Sequence, residues 1–335
     1  MKKITLSIAL LSAMTGAQAY QNEIQGVVGY YDAELNDGNY NAGVQGTHYF
    51  KQLDTSKGPL AEAAFLNQAS NISVGYSFGQ LTGDIDVAQQ LGLSQADLNS
   101  LTSAQRTTIA ETLGTDLNLQ AEADTQQHTF GIKGETYIPT NIVPVYASAS
   151  YSHSFTDAKN DFSAKSGLGD DSGDRFALEL GAVVAPNFLV AVGYTSVAAT
   201  QSLDTFNLLN NGLMLSAMEA RTISEDQDAI TARTKYVGAI DGTDMSVGFE
   251  AGITYGEESL YQFKTDLYVT PKLGFGVSYT EGSYESASVP TSALGLNTSY
   301  FVTPAISLGA NYVYANGEYG AKDAQLGSLN AKFRF

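Results

Sequence analysis

The stretch Pro271-Lys272-Leu273-Gly274-Phe275-Gly276-Val277-Ser278-Tyr279 sets the pattern for the whole chain. Even offsets from the proline carry Leu273, Phe275, Val277 and Tyr279, whereas odd offsets carry Lys, Gly, Gly and Ser. Since side chains alternate between the two faces of a strand, this period of two predicts a β-strand with one apolar and one small, polar face. Such a strand suits a soluble sandwich, and it also suits a barrel with lipid outside and water inside.

The same unit occurs at residues 186–194 and 304–312, and each copy again runs from a proline to a tyrosine. Leu189 is the one bulky residue at an odd offset. Eight residues advance about 26 Å along a strand, or about 20 Å of height at a tilt of about 40°. This height is close to that of the apolar band of an outer-membrane barrel.

The beginning of the chain has the features of a secretory signal peptide. Met1-Lys2-Lys3 is charged, residues 4–14 form an apolar run, and Ala17-Gln18-Ala19 provides small residues for cleavage. We therefore expect a signal peptide over residues 1–19 and a single domain over residues 20–335. No later run reaches the eighteen or so apolar residues of a membrane-spanning helix, which excludes a helical membrane protein.

The composition excludes several classes of function. The chain of 335 residues has a net charge of -18 and no cysteine. The negative charge argues against binding nucleic acid and favours cations as partners. Without cysteine there is no disulfide framework, thiolate metal site or thiol nucleophile. With 20 tyrosines and no tryptophan, any aromatic girdle at the membrane interfaces consists of Tyr and Phe.

The alternation predicts fourteen antiparallel strands in a transmembrane β-barrel. An even number places both chain ends in the periplasm, where the turns are short, and the long loops face outward. We expect outer loops at residues 80–124, 157–172 and 200–227, and an unusually long periplasmic segment at residues 52–68. Helices are predicted in the loops, over Ser103 to Leu113 (with Ser94 and Asp97 resembling a capping box further upstream) and from Asp204 to Ala220.

The first outer loop is acidic, which allows two interpretations. It is either a solvated surface or a site for cations, including divalent ions that bridge carboxylates to lipopolysaccharide. Its charged residues are Asp84, Asp86, Asp97, Glu111, Asp116, Glu122 and Asp124, against the single Arg106.

No motif predicts catalysis, a metal or a cofactor. Gly75-Tyr76-Ser77-Phe78-Gly79 matches the nucleophile-elbow pattern, but it lies in an alternating strand rather than on a strand-to-helix turn. The three histidines fall on separate strands. The acidic run Asp170 to Asp174 lacks the spacing of an EF-hand calcium loop and is interpreted as a loop tip.

Charged residues within the strands are expected to face the barrel interior, because a midplane Arg or Lys on the lipid face costs about 2 to 4 kcal/mol. These charges either pair and seal the barrel, or line a water-filled pore with both signs on its wall. The predicted pore-lining residues are Lys133, Glu135, Arg175, Glu179, Arg233, Lys235, Glu250, Lys264, Asp266, Lys332 and Arg334.

The segment at residues 52–68 is helix-prone and mostly apolar after its proline. Because an apolar stripe exposed in the periplasm is unfavourable, the segment either enters the lumen and narrows the pore or packs across the rim. The candidate constriction residues are Pro59, Leu60, Glu62, Phe65 and Leu66.

The closing strand alternates to a terminal aromatic residue, with Phe333 and Phe335 two positions apart. This ending resembles the signal that the barrel assembly machinery reads.

The run from Lys51 to Ser70 resembles the hallmark segment of the putative-porin family of Acinetobacter-type outer membranes. Ala17 to Gln21 and the closing Lys332 to Phe335 are also similar to that family. The resemblance implies a fourteen-stranded, monomeric channel for water and small solutes, with conduction narrowed by inward-folded segments.

The sequence thus predicts a passive outer-membrane channel for water, ions and small hydrophilic solutes, and not an enzyme. Its expected partners are outer-membrane lipid, lipopolysaccharide and the assembly machinery. The alternative is a non-conducting or weakly conducting structural barrel that binds lipopolysaccharide or host surfaces.

Overall fold

The computed structural model describes residues 19–33, 36–86, 100–113, 120–159, 170–198, 218–219, 227–285, 289–319, 321 and 323–335. Fourteen antiparallel strands follow one another around a closed barrel, and β1 closes it by pairing with β14. The predicted fourteen-stranded barrel is therefore confirmed. The strands are β1 (Ala19–Ala33), β2 (Asn36–Asp54), β3 (Asn71–Asp86), β4 (Gln120–Ile138), β5 (Val145–Lys159), β6 (Asp170–Ala185), β7 (Phe188–Ala198), β8 (Gln227–Ala239), β9 (Ser246–Tyr255), β10 (Ser259–Thr270), β11 (Leu273–Gly282), β12 (Ser292–Thr303), β13 (Ile306–Asn316) and β14 (Ala324–Arg334).

The apolar face of the strands points out of the barrel. On β11, Phe275, Val277 and Tyr279 are 50%, 44% and 43% exposed, while Gly274 and Gly276, at alternating positions, are buried. A soluble sandwich would bury the apolar face instead. Exposed apolar residues on every side of the barrel are what contact with lipid chains requires.

Two helices with defined bounds lie between strands in the described part of the chain, and Met218 and Glu219 are also helical. The short helix α1 (Ala63–Leu66) follows a 3-10 turn at Leu60–Glu62, and α2 (Ser103–Leu113) lies between β3 and β4, as predicted. Neither of these helices, nor any other in the described ranges, has the length and apolarity needed to cross a bilayer.

The start of α2 is fixed by a capping box formed by Thr102 and Gln105. The backbone N–H of Gln105 donates to the Thr102 hydroxyl at 3.3 Å, and the backbone N–H of Thr102 donates to Gln105 Oε1 at 2.9 Å. Two N–H groups at the helix start are thereby satisfied by the two side chains. Ser94 and Asp97 lie outside the described residues.

Several strands reach further outward than the sequence pattern suggested. β3 extends to Asp86 and β4 begins at Gln120, so both ends of the predicted loop 80–124 are strand. The acidic run from Asp170 to Asp174, expected as a loop tip, forms the start of β6, where Asp170 pairs with Asp157 of β5. Backbone pairing between neighbouring strands continues through these polar residues, which a hydrophobic pattern cannot detect. Two predictions fall largely outside the described residues. Of the predicted signal peptide only Ala19 is described, and of the predicted helix from Asp204 to Ala220 only Met218 and Glu219.

Candidate functional site in the barrel lumen

The eleven charged residues predicted to line a pore lie on strands and face the barrel interior. On β6, for example, Arg175 and Glu179 occupy positions that alternate with the exposed Phe176, Leu178 and Leu180. The eleven are distributed over six strands: Lys133 and Glu135 on β4, Arg175 and Glu179 on β6, Arg233 and Lys235 on β8, Glu250 on β9, Lys264 and Asp266 on β10, and Lys332 and Arg334 on β14.

A polar network centred on Arg233 joins the charges on β4, β6 and β8 through Tyr146 of β5. The Arg233 guanidinium donates from Nε to Glu179 Oε1 at 2.6 Å and from Nη2 to the Tyr146 hydroxyl at 3.0 Å. Tyr146 donates in turn to Glu135 Oε1 at 3.0 Å, and Lys133 Nζ lies 2.9 Å from the same carboxylate oxygen. Tyr146 therefore connects two ion pairs, a role that the sequence did not indicate.

The network continues towards β10 with alternating signs. Glu250 lies 3.8 Å from Arg233 Nη1 and 3.6 Å from Lys235 Nζ. On β10, Lys264 Nζ is 3.2 Å from Asp266 Oδ2. Both signs thus stand side by side on this wall, in agreement with the mixed charge expected from the sequence.

Two of the eleven predicted residues face inward but are almost fully covered. Arg334 donates from Nε to Glu23 Oε2 at 2.7 Å, and its guanidinium lies between the rings of Tyr20 and Phe301, 4.7 and 4.6 Å from their centroids. Such a stacked, paired guanidinium is held in place by packing as well as by charge. Arg334 is therefore part of the packing where the barrel closes, with little surface left to contact a solute.

Arg175 is the second covered residue. Its Nη2 donates to Glu219 Oε1 at 2.6 Å, and both side chains are buried. Neighbouring Met218 is fully buried in a cluster with Leu260 and Leu326, at the outer ends of β10 and β14, and with Tyr284, just beyond the outer end of β11. Residues 218–219, from the predicted outer loop 200–227, are therefore packed inside the outer end of the barrel.

The connection between β2 and β3, residues 55–70, is folded into the periplasmic end of the barrel; we call it the β2–β3 segment. The backbone N–H of Leu60 donates to the Pro271 carbonyl at 2.8 Å, and the Leu60 carbonyl accepts from Arg334 Nη1 at 2.9 Å. Since Pro271 follows β10, seven strands from β3 in the closed order, the segment reaches the opposite wall.

Glu62 anchors the β2–β3 segment to that wall. Its Oε2 is 3.0 Å from Lys235 Nζ, and its Oε1 accepts a hydrogen bond from the Tyr268 hydroxyl at 2.7 Å. Burial raises the pKa of this carboxyl. The charge of Lys235 and the hydrogen bond from Tyr268 lower it by more than burial raises it, so the pKa of Glu62 falls to about 2. The carboxylate is therefore ionised at neutral pH and bound by two strands at once.

The apolar residues of the β2–β3 segment pack against inward-facing side chains. Phe65 lies in a buried cluster with Tyr146, Leu189 and Val237, and Leu66 packs against the same cluster. On the other side, Ala63 packs with residues of β1 and β2, among them Leu53. Leu189, the one bulky residue at an odd offset of the repeated unit, thus faces inward and belongs to the buried cluster that includes Phe65 of the segment.

The segment also has internal constraints. Gly58 has a φ of 151°, and a Cβ at this position would lie 2.9 Å from Leu66 Cδ1. Asn67 donates from Nδ2 to the carbonyls of Ala63 and Asp54 at 2.8 and 2.7 Å, and Lys51 Nζ donates to the Asn67 carbonyl. These bonds close the turn of α1 and tie its C-terminal end to the end of β2.

The described residues include no group of three or more His, Asp or Glu side chains arranged to hold a metal ion. Ser77, in the pattern that resembles a nucleophile elbow, is buried on the inward face of β3, away from any turn. Of the three histidines, His153 contacts a carboxylate: its Nδ1 is 2.7 Å from Asp174 Oδ1 on the neighbouring strand. This contact depends on strand register and was not visible in the spacing of the sequence.

The chain is similar to several proteins of known structure. The outer membrane protein Omp33 of Acinetobacter baumannii, known from a crystal structure, is 38% identical; the match covers 95% of this chain and 99% of that chain, with a TM-score of 0.60. The monoaromatic hydrocarbon channel TodX of Pseudomonas putida, as a deltaS2S3 mutant, is 9% identical over 96% of this chain and 91% of that chain, with a TM-score of 0.52. The similarity to TodX shows a shared fold and nothing more.

No curated protein sequence matches the chain significantly. The sequence profile described as putative general bacterial porin matches residues 1–94, which include β1, β2, the β2–β3 segment and β3. With this profile match and the 38% identity to Omp33 over nearly the whole of both chains, the chain belongs to the putative general bacterial porin family.

Proposed function

We propose that this protein is a passive diffusion channel of the outer membrane for water, ions and small hydrophilic solutes, narrowed at its periplasmic end by the β2–β3 segment. Membership of a porin family supports the channel. The observation that carries the narrowing is the attachment of Glu62 to Lys235 and Tyr268 on the wall opposite β3. A segment bound to both sides of a barrel reduces the cross-section through which solutes pass.

The residues of the proposed constriction are Pro59, Leu60, Glu62, Phe65 and Leu66. Glu62 supplies the charged anchor and Leu60 the backbone anchor, while Phe65 and Leu66 fill the space towards β7. The pore wall above them consists of the charged residues on β4 to β10. Because this wall carries both signs, it imposes no strong selectivity for ions of one sign.

A weakly conducting structural barrel is the second candidate. It is favoured by the burial of several inward-facing charges, including Arg175, Glu219, Glu23 and Arg334. The packing of Met218 at the outer end supports a second narrowing there. In this alternative the outer loops would contact lipopolysaccharide or host surfaces.

Assembly and location follow from the same proposal. Residues 1–19 would direct export and be removed, after which the barrel assembly machinery would read Phe333 and Phe335. The two rings lie on one face of the closing strand with centroids 5.5 Å apart, and the Phe335 carbonyl accepts a hydrogen bond from the Asn22 N–H at 2.9 Å. The barrel would act as a monomer in contact with lipid and lipopolysaccharide, without a catalytic function.

Swelling of proteoliposomes tests the channel. We expect the purified barrel to admit small polyols and to exclude sugars above a sharp size limit, and to carry ionic current in a planar bilayer. Uptake of none of these solutes, with no current under any condition, would favour the structural barrel.

A further inference from the structure

The described inward face of the barrel has two chemically different halves at mid-height. From β4 to β10 it carries the charged network. From β12 to β2 it carries mainly neutral amides: Asn297 and Asn311 are direct register partners on β12 and β13, and Asn330, Gln25 and Gln45 follow on β14, β1 and β2. Lys332, the register partner of Gln25, adds one cation to this half and lies 3.8 Å from Glu23. A solute in the lumen therefore meets the charged network on one side and mainly amides on the other.

Glycines let the amides lie close to the wall. A Cβ at Gly276 would collide with Asp266 Oδ1 and Asn297 Nδ2, and one at Gly309 would come within 2.6 Å of Asn330 Oδ1. These amide side chains thus lie over glycines of the neighbouring strands. They offer both donors and acceptors to a neutral polar group.

In the charged half, Glu250 and Lys264 are the side chains most open to the lumen. They are 40% and 41% exposed, against 11% for Glu62 and Asp266. The two are register partners on β9 and β10, and each also lies beside further charges. Lys264 pairs with Asp266 at 3.2 Å, whereas Glu250 lies at the longer distances of 3.6 and 3.8 Å from its cations. A carboxylate and an ammonium group therefore stand side by side and accessible.

We propose that Glu250 and Lys264 form a docking site for a zwitterionic solute of amino-acid size. The solute ammonium group would pair with Glu250 and its carboxylate with Lys264, while the rest of the molecule faces the amides. An ion of one sign meets both attractive and repulsive charges here, whereas a zwitterion can pair with Glu250 through its ammonium group and with Lys264 through its carboxylate. Exposed pairs are individually weak, which suits a site that must release its solute. This inference rests on the proposed function as a channel.

Two isomers separate charge from size: alanine is a zwitterion, and lactamide has the same formula without charges. We expect proteoliposomes containing the full chain to take up alanine faster than lactamide at low solute concentration. The Glu250→Gln/Lys264→Gln variant should reduce this ratio about threefold. The matched control is Asp241→Asn/Lys272→Gln, which removes one charge of each sign from exposed periplasmic turns.

Equal uptake of the isomers by the wild type, or an unchanged ratio in the variant, would overturn the docking site while leaving the channel intact. Uptake of neither isomer would instead contradict the proposed function. If the variant does not fold, as judged by gel migration without boiling, the wild-type ionic current provides the test. Alanine should reduce it at concentrations where lactamide does not, and equal effects of the two would refute the inference.

Discussion

Replacement of Glu62 by Gln tests how firmly the β2–β3 segment is held in the barrel. The substitution removes one negative charge but preserves an oxygen that can accept the hydrogen bond from Tyr268. It removes the ion pair with Lys235, whose Nζ lies 3.0 Å from the carboxylate. We expect the segment to leave its position more often, because the partly buried Lys235 then loses its nearest counter-charge.

The magnitude follows from the geometry. Breaking one side of a fully buried pair costs about 3 to 5 kcal/mol, but Lys235 retains Glu250 at 3.6 Å, and Gln still accepts one hydrogen bond. We therefore expect a loss of about 2 kcal/mol, which corresponds to a roughly 30-fold rise in the ratio of displaced to bound segment.

Single-channel recording detects this change as brief openings of larger conductance. Their frequency should rise roughly 30-fold in Glu62→Gln, with no change in the conductance between openings. The matched control is Glu281→Gln, since Glu281 also accepts a tyrosine hydroxyl, from Tyr279 at 3.1 Å, but lies on the exposed face. An equal frequency in the wild type and Glu62→Gln would refute the anchoring role of Glu62.

Three further predictions concern the same pore. The pKa of Glu62 is about 2 in the bound segment against an ordinary 4.5. The ionised Glu62 therefore stabilises the bound segment fully above pH 4.5, and this stabilisation is lost as the pH falls through 2. Larger openings should become more frequent as the pH falls from 4.5 to 2, and the increase should be smaller in Glu62→Gln. Phe65→Ala leaves a cavity among Tyr146, Leu189 and Val237 and should weaken the bound segment by about 3 kcal/mol, measured as the same openings; Phe275→Ala, on the lipid face, is its control, and equal behaviour of the two variants would contradict the packing role. The acidic outer loop should favour cations, in reversal potentials that weaken with salt because exposed charges are screened beyond about 10 Å at 0.1 M; anion preference at low salt would refute this.

The strands were predictable because lipid and lumen impose opposite polarity on alternate residues. The unit from Pro271 to Tyr279 already contains this alternation, and its proline marks the periplasmic turn. The outward extension of β3 to Asp86 was not predictable, since above the membrane both faces meet water and the alternation disappears.

The lumen was predictable residue by residue but not contact by contact. Alternation identifies Arg233, Glu179 and Glu135 as inward-facing, yet the direct pair of Arg233 with Glu179 and its link through Tyr146 to Glu135 depend on the register of four strands. The inward-folded segment was signalled by the apolar run after Pro59, and Leu189 gave a second signal, because a bulky apolar residue on a polar face requires an apolar partner. Glu62 and Tyr268 are separated by more than 200 residues, and no spacing rule connects them.

The single-channel conductance of a variant lacking residues 57–66, with β2 and β3 joined by a short glycine-containing turn, tests the central claim most directly. Our account predicts a severalfold higher conductance in a barrel that still shows heat-modifiable migration. An unchanged conductance in a correctly folded variant would contradict it, and would assign the narrowing to the outer end around Met218.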